Sequence, residues 1–290
     1  MKLVSDFDGV LTELTHEAAR VREIFLARLG SPPELGVLEE EMRKNPERHG
    51  WEVKGRVSAF SDEDMFIHTN ALAAFFDQRA AGSPELSKKL AELQAAGFEN
   101  FKALGEAAYD EMVLEVMAGK TSPIDPQSKP VLEGLLQGGT EITVISNSGS
   151  SRIQDIFNKS ALPCTSFPAQ DSGKICVRGG ARKFELAPTA RLHRFDRREV
   201  DVARPIYQNM IREERPDAVI GDVFSLDLAV PYSIAVEEPA LFPRGLKLIL
   251  RVRPYTPAWS LELCQTLPKV NSVSIHLLRD LSELPGILRS

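Results

Sequence analysis

Cysteine is scarce in this chain. Cys164, Cys176 and Cys264 are odd in number and far apart, which argues against a disulfide framework or a zinc cluster. Reduced thiols in a cytoplasmic protein are the expectation. Long hydrophobic runs are lacking as well. No apolar stretch reaches the roughly 18 residues of a membrane-spanning helix, so no membrane partner is expected. Nor is there an excess of positive charge. A formal net charge of −6 argues against nucleic acid or an anionic membrane surface as the main partner. The first residues pass straight into an apolar run with an acidic tip, unlike the leader of a secreted chain. What remains is an ordinary globular composition, 43% hydrophobic and 26% charged, at a length that allows one large domain or two modest ones.

The texture changes along the chain. Residues 1–12 read as a strand and turn, and residues 15–120 as almost entirely helical. His16–Leu29 has apolar residues at Val21, Ile24, Phe25 and Leu29, which is helical spacing. Ser61 is the expected N-cap of a helix running to about Arg79, and Ser83-Pro84 opens the next one. Phe98–Met117 forms a further helix, and Ser122-Pro123-Ile124-Asp125-Pro126 reads as a hinge. Beyond it strands alternate with helices. Glu141–Ile145, Ala218–Ile220, Lys247–Val252 and Ser272–His276 are expected strands, with shorter β-like pieces at Ile175–Val177, Lys183–Leu186 and Val200–Ala203. This alternation predicts an α/β fold with a doubly wound parallel sheet. The helical block is then an insertion after the first strand. The expected division is an α/β core of residues 1–14 and 122–290 and an inserted helical domain of residues 15–121.

Three of these strands end in chemically pointed residues. Lys2–Ser5 delivers Asp6 and Asp8, two carboxylates one residue apart, onto a turn opened by Gly9. Their mutual repulsion has two remedies: a divalent cation such as Mg²⁺, which prefers hard oxygen ligands, or a raised pKa on one acid, which suits a proton donor. An ordinary Asp-Gly turn is the plain alternative. The second strand ends at Ser146-Asn147-Ser148, and the third at Gly221-Asp222, with Asp227 five residues on. In an open parallel sheet ligands bind beyond the carboxyl ends of the strands. If these strands are neighbours, several carboxylates, a hydroxyl and a helix N-terminus converge.

In this set the chain resembles the haloacid dehalogenase (HAD) superfamily. LVSDFDGVLT is similar to its first motif, an apolar strand followed by Asp-x-Asp-Gly-x-Thr. ITVIS resembles the second motif, and AVIGDVFSLD the fourth. The resemblance covers residues 1–12 and about 127–290. It implies a Rossmann-like core with a helical cap of the C1 type at 15–121, hinged near 12–15 and 120–126. It implies Asp6 as the nucleophile that forms an aspartyl-phosphate, with Asp8 as general acid and base. Mg²⁺ would be held by Asp6, the Asp8 backbone carbonyl and Asp222, with Asp227 close by. Ser146, and amides around Gly9, Asn147 and Ser148, would hold phosphate oxygens.

The third motif departs from the family pattern. A lysine or arginine is expected at the start of the helix before the Gly-Asp strand, and that position reads Ala203-Arg204-Pro205. Arg204 is the favoured cation; Lys183 is the nearest lysine but lies in a β-like stretch. Asp8 favours phosphate chemistry over dehalogenation, because a halide leaving group needs no proton. The implied activity is that of a Mg²⁺-dependent phosphoric monoester hydrolase acting on a small phosphorylated metabolite. The alternatives are a phosphotransferase or mutase using the same residues, and a catalytically silent fold used for binding. Nothing in the sequence specifies the oligomeric state.

Overall fold

In the computed structural model, which describes residues 1–30, 32, 34–119, 124–169, 171, 173–267, 270 and 272–290, the chain divides into two compact units. One comprises Met1–Glu13 and Pro123–Ser290; the other is Leu14–Ser122. Residues 120–123 of the expected hinge lie outside the described residues. Among the described residues no helix is long and apolar enough to cross a membrane.

In chain order, β1 (Lys2–Ser5) opens the first unit, while β2 (Gly50–Val53) and β3 (Arg56–Phe60) belong to the second. The first unit continues with β4 (Glu141–Ile145), β5 (Cys164–Ser166), β6 (Ile175–Arg178), β7 (Leu192–Phe195), β8 (Arg198–Asp201), β9 (Ala218–Gly221), β10 (Leu246–Arg251) and β11 (Val273–Leu278). Seven of these form one sheet in the order β11-β10-β9-β1-β4-β6-β5, and every pairing in it is parallel. Such a sheet is covered on both faces, so its strands are apolar throughout instead of alternating. Leu3, Ile142, Val144, Ile175, Val177, Ala218, Ile220 and Ile249 are all buried in one cluster. Phe7, just past β1, packs edge-on against Phe157 with ring centroids 5.4 Å apart.

The second unit corrects one expectation. It is not wholly helical, because β2 and β3 form an antiparallel hairpin. The connecting Lys54 and Gly55 both have positive φ, at 50° and 76°, the backbone of a tight two-residue turn. Since β3 runs to Phe60, Ser61 is not the cap of the next helix. Asp64 is: its carboxylate accepts from the N–H groups of Phe66 and Ile67 at the start of Met65–Arg79. Ser83 caps Pro84–Ala95 as its sequence suggests, accepting from Leu86 N at 3.2 Å. Phe25, Leu72, Phe76, Phe101 and Leu104 form the centre of this unit's core.

Candidate active site

The strand order creates the site. β1 lies between β4 and β9, with Ser5 in register with both Val144 and Ile220. Because all three strands run the same way, Asp6, Ser146 and Asp222 emerge at the same edge of the sheet. The Asp6 N–H still donates to Ile220 O at 2.9 Å, so its backbone is held by the sheet while its side chain leaves it.

Asp222 follows β9 directly. A single π turn, Phe224–Leu228, then carries Asp227 back toward the strand. Gly221 allows this return, since a Cβ there would lie 2.1 Å from the Asp227 Cβ. The Val223 N–H fixes the Asp227 carboxylate at Oδ2, 3.0 Å away. Gly9 has a similar task with φ of +74°. A Cβ at that position would lie 2.0 Å from Asp222 Oδ2, so only glycine lets the loop after Asp8 approach this acid. Gly9 was expected among the phosphate donors. Its N–H instead donates to Thr12 Oγ1 at 3.1 Å, which closes the turn.

The cation beside Asp6 is Lys183, and this corrects the preference for Arg204. Lys183 Nζ lies 2.8 Å from Asp6 Oδ1 and 2.8 Å from Asp227 Oδ1. Lys183 is not in a strand. It sits in the loop after β6, and that loop crosses the Ser146–Ser150 segment at close range. A Cβ on Gly179 would fall 2.2 Å from Ser150 N, while Ala181 N donates to Ser146 O at 2.9 Å. Asn147 Oδ1 then accepts the Lys183 N–H at 2.6 Å. Arg204 is fully buried and donates to the backbone carbonyls of Lys183 and Asp201. A buried guanidinium needs several acceptors, and here backbone oxygens supply them. Arg204 therefore braces the loop that presents the lysine.

The electrostatics follow from burial. Burial above all pushes the Asp6 carboxyl up, against the downward pull of Lys183 and with added upward pressure from Asp227 and Asp8, to about 7. Burial lowers the Lys183 ammonium, but the Asp227 and Asp6 carboxylates outweigh this and hold it above its ordinary value. Tyr207 walls the pair. Its ring centroid is 5.2 Å from Lys183 Nζ, and its hydroxyl donates to Asp227 O at 2.8 Å.

Asp8 faces a different set of groups. Its Oδ2 accepts from Ser148 Oγ at 2.7 Å and Ser146 Oγ at 3.2 Å, and its Oδ1 from Arg152 Nη1 at 2.9 Å. Arg152 also donates to Ser148 Oγ at 2.8 Å. Sequence reasoning missed Arg152. Its only signal was a cation four residues past Ser148, in the first turn of the helix Ser150–Lys159.

Asp6, Asp222 and Asp227 can each offer one carboxylate oxygen, and these atoms all lie within 4.8 Å of one another. Three hard oxygen donors facing one lysine leave an unbalanced negative charge, which suits a small divalent cation such as Mg²⁺. The Asp8 side chain lies outside this group. Both Asp227 oxygens are engaged, one by Lys183 Nζ and the other by Val223 N.

No family model and no curated protein matches the chain. Solved structures do. A protein from Lactobacillus delbrueckii assigned as a phosphoglycolate phosphatase superposes with a TM-score of 0.50 at 13% identity, covering 99% of this chain and 97% of that one. YfnB of Bacillus subtilis, assigned as a HAD-hydrolase and solved with magnesium, covers 100% and 98% at 15% identity with a TM-score of 0.46. CbbY of Rhodobacter sphaeroides, solved with phosphate, covers 98% and 95% at 14% identity with a TM-score of 0.45. The chain has the fold of the haloacid dehalogenase-type hydrolases, a parallel α/β sheet with its acidic strand ends gathered at one edge.

Proposed function

We propose that this protein is a Mg²⁺-dependent phosphatase that acts on a small phosphorylated metabolite through an aspartyl-phosphate on Asp6. One observation carries the reading: the Asp6 carboxylate shares a buried lysine with Asp227 and clusters with Asp227 and Asp222, while Asp8 two residues away lies among hydroxyl groups. Asp6 and Asp222 would hold the cation, with Asp227 beside them keeping Lys183 in place. The bound metal supplies charge neutralisation for the carboxylates and the phosphate oxygens.

Asp6 must be ionised to act as a nucleophile, and burial alone opposes this. Lys183 favours the ionised form and presents a positive charge to the incoming phosphate. The Asp6 oxygen attacks phosphorus, and the bond from phosphorus to the substrate oxygen breaks. Asp8 gives that leaving oxygen a proton. Asp8 then removes a proton from water as the water attacks the acyl phosphate, which frees phosphate and regenerates Asp6. Ser146 and Ser148 orient Asp8 between the two steps, and the amides at the start of Ser150–Lys159 suit phosphate oxygens. The inserted unit is assigned the part of a C1-type cap, which selects the substrate. The proposed setting is the cytoplasm, where the chain's three unpaired cysteines would stay reduced.

The test is a panel of phosphorylated metabolites incubated with and without Mg²⁺, with phosphate release as the readout. Metal-dependent release that disappears in Asp6→Asn is the expected result. Absence of hydrolysis together with absence of Mg²⁺ binding would instead favour a non-catalytic binding role.

A further inference from the structure

The motifs that mark this site end at Asp227, yet one more element reaches it. β10 pairs with β9 so that Leu250 lies level with Gly221, and the carboxyl ends of these strands are neighbours. The loop that follows β10 reads Arg251-Val252-Arg253-Pro254-Tyr255-Thr256. It is closed on itself, with Arg253 N donating to Thr256 Oγ1 at 2.8 Å and Thr256 N to Arg253 O at 3.0 Å. It is also fastened to the loop after Asp8. The Arg253 guanidinium donates to Gly9 O, and to Thr12 O at 2.8 Å. Arg253 further pairs with Asp125 at 3.4 Å and Glu13 at 3.3 Å. A turn held at this many points places firmly the side chains it carries. One of these is Tyr255, whose hydroxyl donates to Asp222 Oδ2 at 2.7 Å. A Cβ on Gly9 would lie 2.8 Å from the same hydroxyl. Gly9, Asp222 and Tyr255 thus form one close contact.

We propose that Tyr255 is a positioning residue for the divalent cation: its phenol sets the orientation of the Asp222 carboxylate, and so the affinity and selectivity of the metal site. This rests on the reading of Asp222 as a metal ligand given above. A carboxylate free to rotate about its last bond loses that rotational freedom each time it binds a metal, whereas one already fixed by a hydrogen bond has little left to lose. Partners of this kind, one bond removed from the metal, are worth about 10–100-fold in metal affinity. The effect should also depend on the ion. Mg²⁺ demands near-octahedral geometry, while Ca²⁺ accepts variable ligand number and angle. Loss of a fixed carboxylate therefore weakens Mg²⁺ binding more than Ca²⁺ binding.

The experiment is calorimetric titration of metal-free wild type and Tyr255→Phe with Mg²⁺ and, separately, with Ca²⁺, alongside thermal unfolding of both proteins in chelator. Phenylalanine keeps the ring and removes only the hydroxyl. The expected result is Mg²⁺ binding weakened by about tenfold or more, a smaller loss for Ca²⁺, and a metal-free Tm close to wild type. Mg²⁺ affinity within about twofold of wild type overturns the proposal. So does an equal loss for both ions with a lowered metal-free Tm, which is the signature of a packing role. If folded wild-type protein takes up no Mg²⁺ at all, the metal site itself fails and this inference falls with it; that outcome is distinguishable because it appears before any substitution is made.

Discussion

Replacing Lys183 by methionine tests the electrostatic core of the site. Methionine nearly matches lysine in length, so the change removes a charge and little volume. In the native protein Lys183 is buried between Asp6 and Asp227 at 2.8 Å from each, with only 2% of its side chain exposed. Breaking a buried ion pair by removing one partner costs about 3–5 kcal/mol, because the remaining charge is left without compensation. For a unit of this size each kcal/mol shifts Tm by about 2–4 °C, which gives a loss of about 6–20 °C for the metal-free protein. The pH dependence has a definite sign. The folded-state pKa of Lys183 is raised, so its contribution is fully present below its ordinary value and is lost only as pH rises through the higher folded one. Between pH 5 and 8 the lysine is therefore charged throughout, and the variation comes from Asp6. That carboxyl sits at about 7 with the lysine present, and losing the cation moves it higher still. At pH 8 the variant must either keep Asp6 ionised without its cation or take up a proton to fold, and either costs stability; at pH 5 Asp6 is protonated in both proteins, so that cost falls away. Differential scanning calorimetry in chelator at both pH values should show a large Tm deficit at pH 8 and a smaller one at pH 5. A deficit below about 2 °C at pH 8, or one that grows on acidification, would refute the reasoning.

The Asp6→Asn variant should release no phosphate yet be more heat-stable than wild type in metal-free buffer at pH 8. The raised folded-state pKa of Asp6 means that its ionised form costs stability as pH rises from 3.8 to about 7, so the gain should shrink toward pH 5 in the same calorimeter. Mg²⁺ binding should tighten as pH rises through about 7 with net proton release, measured by titration calorimetry in two buffers of different ionisation enthalpy. Affinity that is flat across this range would remove Asp6 from the ligand set. Arg204→Met should lower Tm, since each charged hydrogen bond to a backbone carbonyl contributes about 1.5–3 kcal/mol, but should reduce turnover less than Lys183→Met at a temperature where both are folded. Equal loss of turnover in the two variants would mean that the arginine also acts on the reacting groups.

The convergence of Asp6, Ser146 and Asp222 was legible in the sequence for a physical reason. Strands buried on both faces read as short apolar runs, and a parallel sheet sends all their carboxyl ends to one edge. The choice of cation was not legible. Arg204 and Lys183 are both near the right place in sequence, and what separates them is the loop after β6 crossing Ser148–Ser150. The clue to that crossing was the Gly179-Gly180 pair, where Gly179 allows backbone contact and Gly180 takes a φ of +70°. The hairpin of β2 and β3 was hidden inside a block of helical texture. Its signal was the Lys54-Gly55 step between two short runs containing Trp51, Val53, Val57 and Phe60. Tyr255 lies 33 residues from Asp222, and no local pattern couples them. Only the pairing of β10 with β9 brings the loop after β10 to the site.

The central claim is that phosphate passes through a covalent bond to Asp6. The direct measurement is trapping during turnover: the protein is mixed with Mg²⁺ and a hydrolysed phosphate ester, quenched rapidly in acid, and reduced with borohydride, which converts an acyl phosphate to the alcohol. Peptide mass spectrometry then locates the reduced residue. The account predicts homoserine at position 6, in wild type and not in Asp6→Asn. Turnover without any reduced residue, or reduction at Asp8 or Asp222 in place of Asp6, would contradict it.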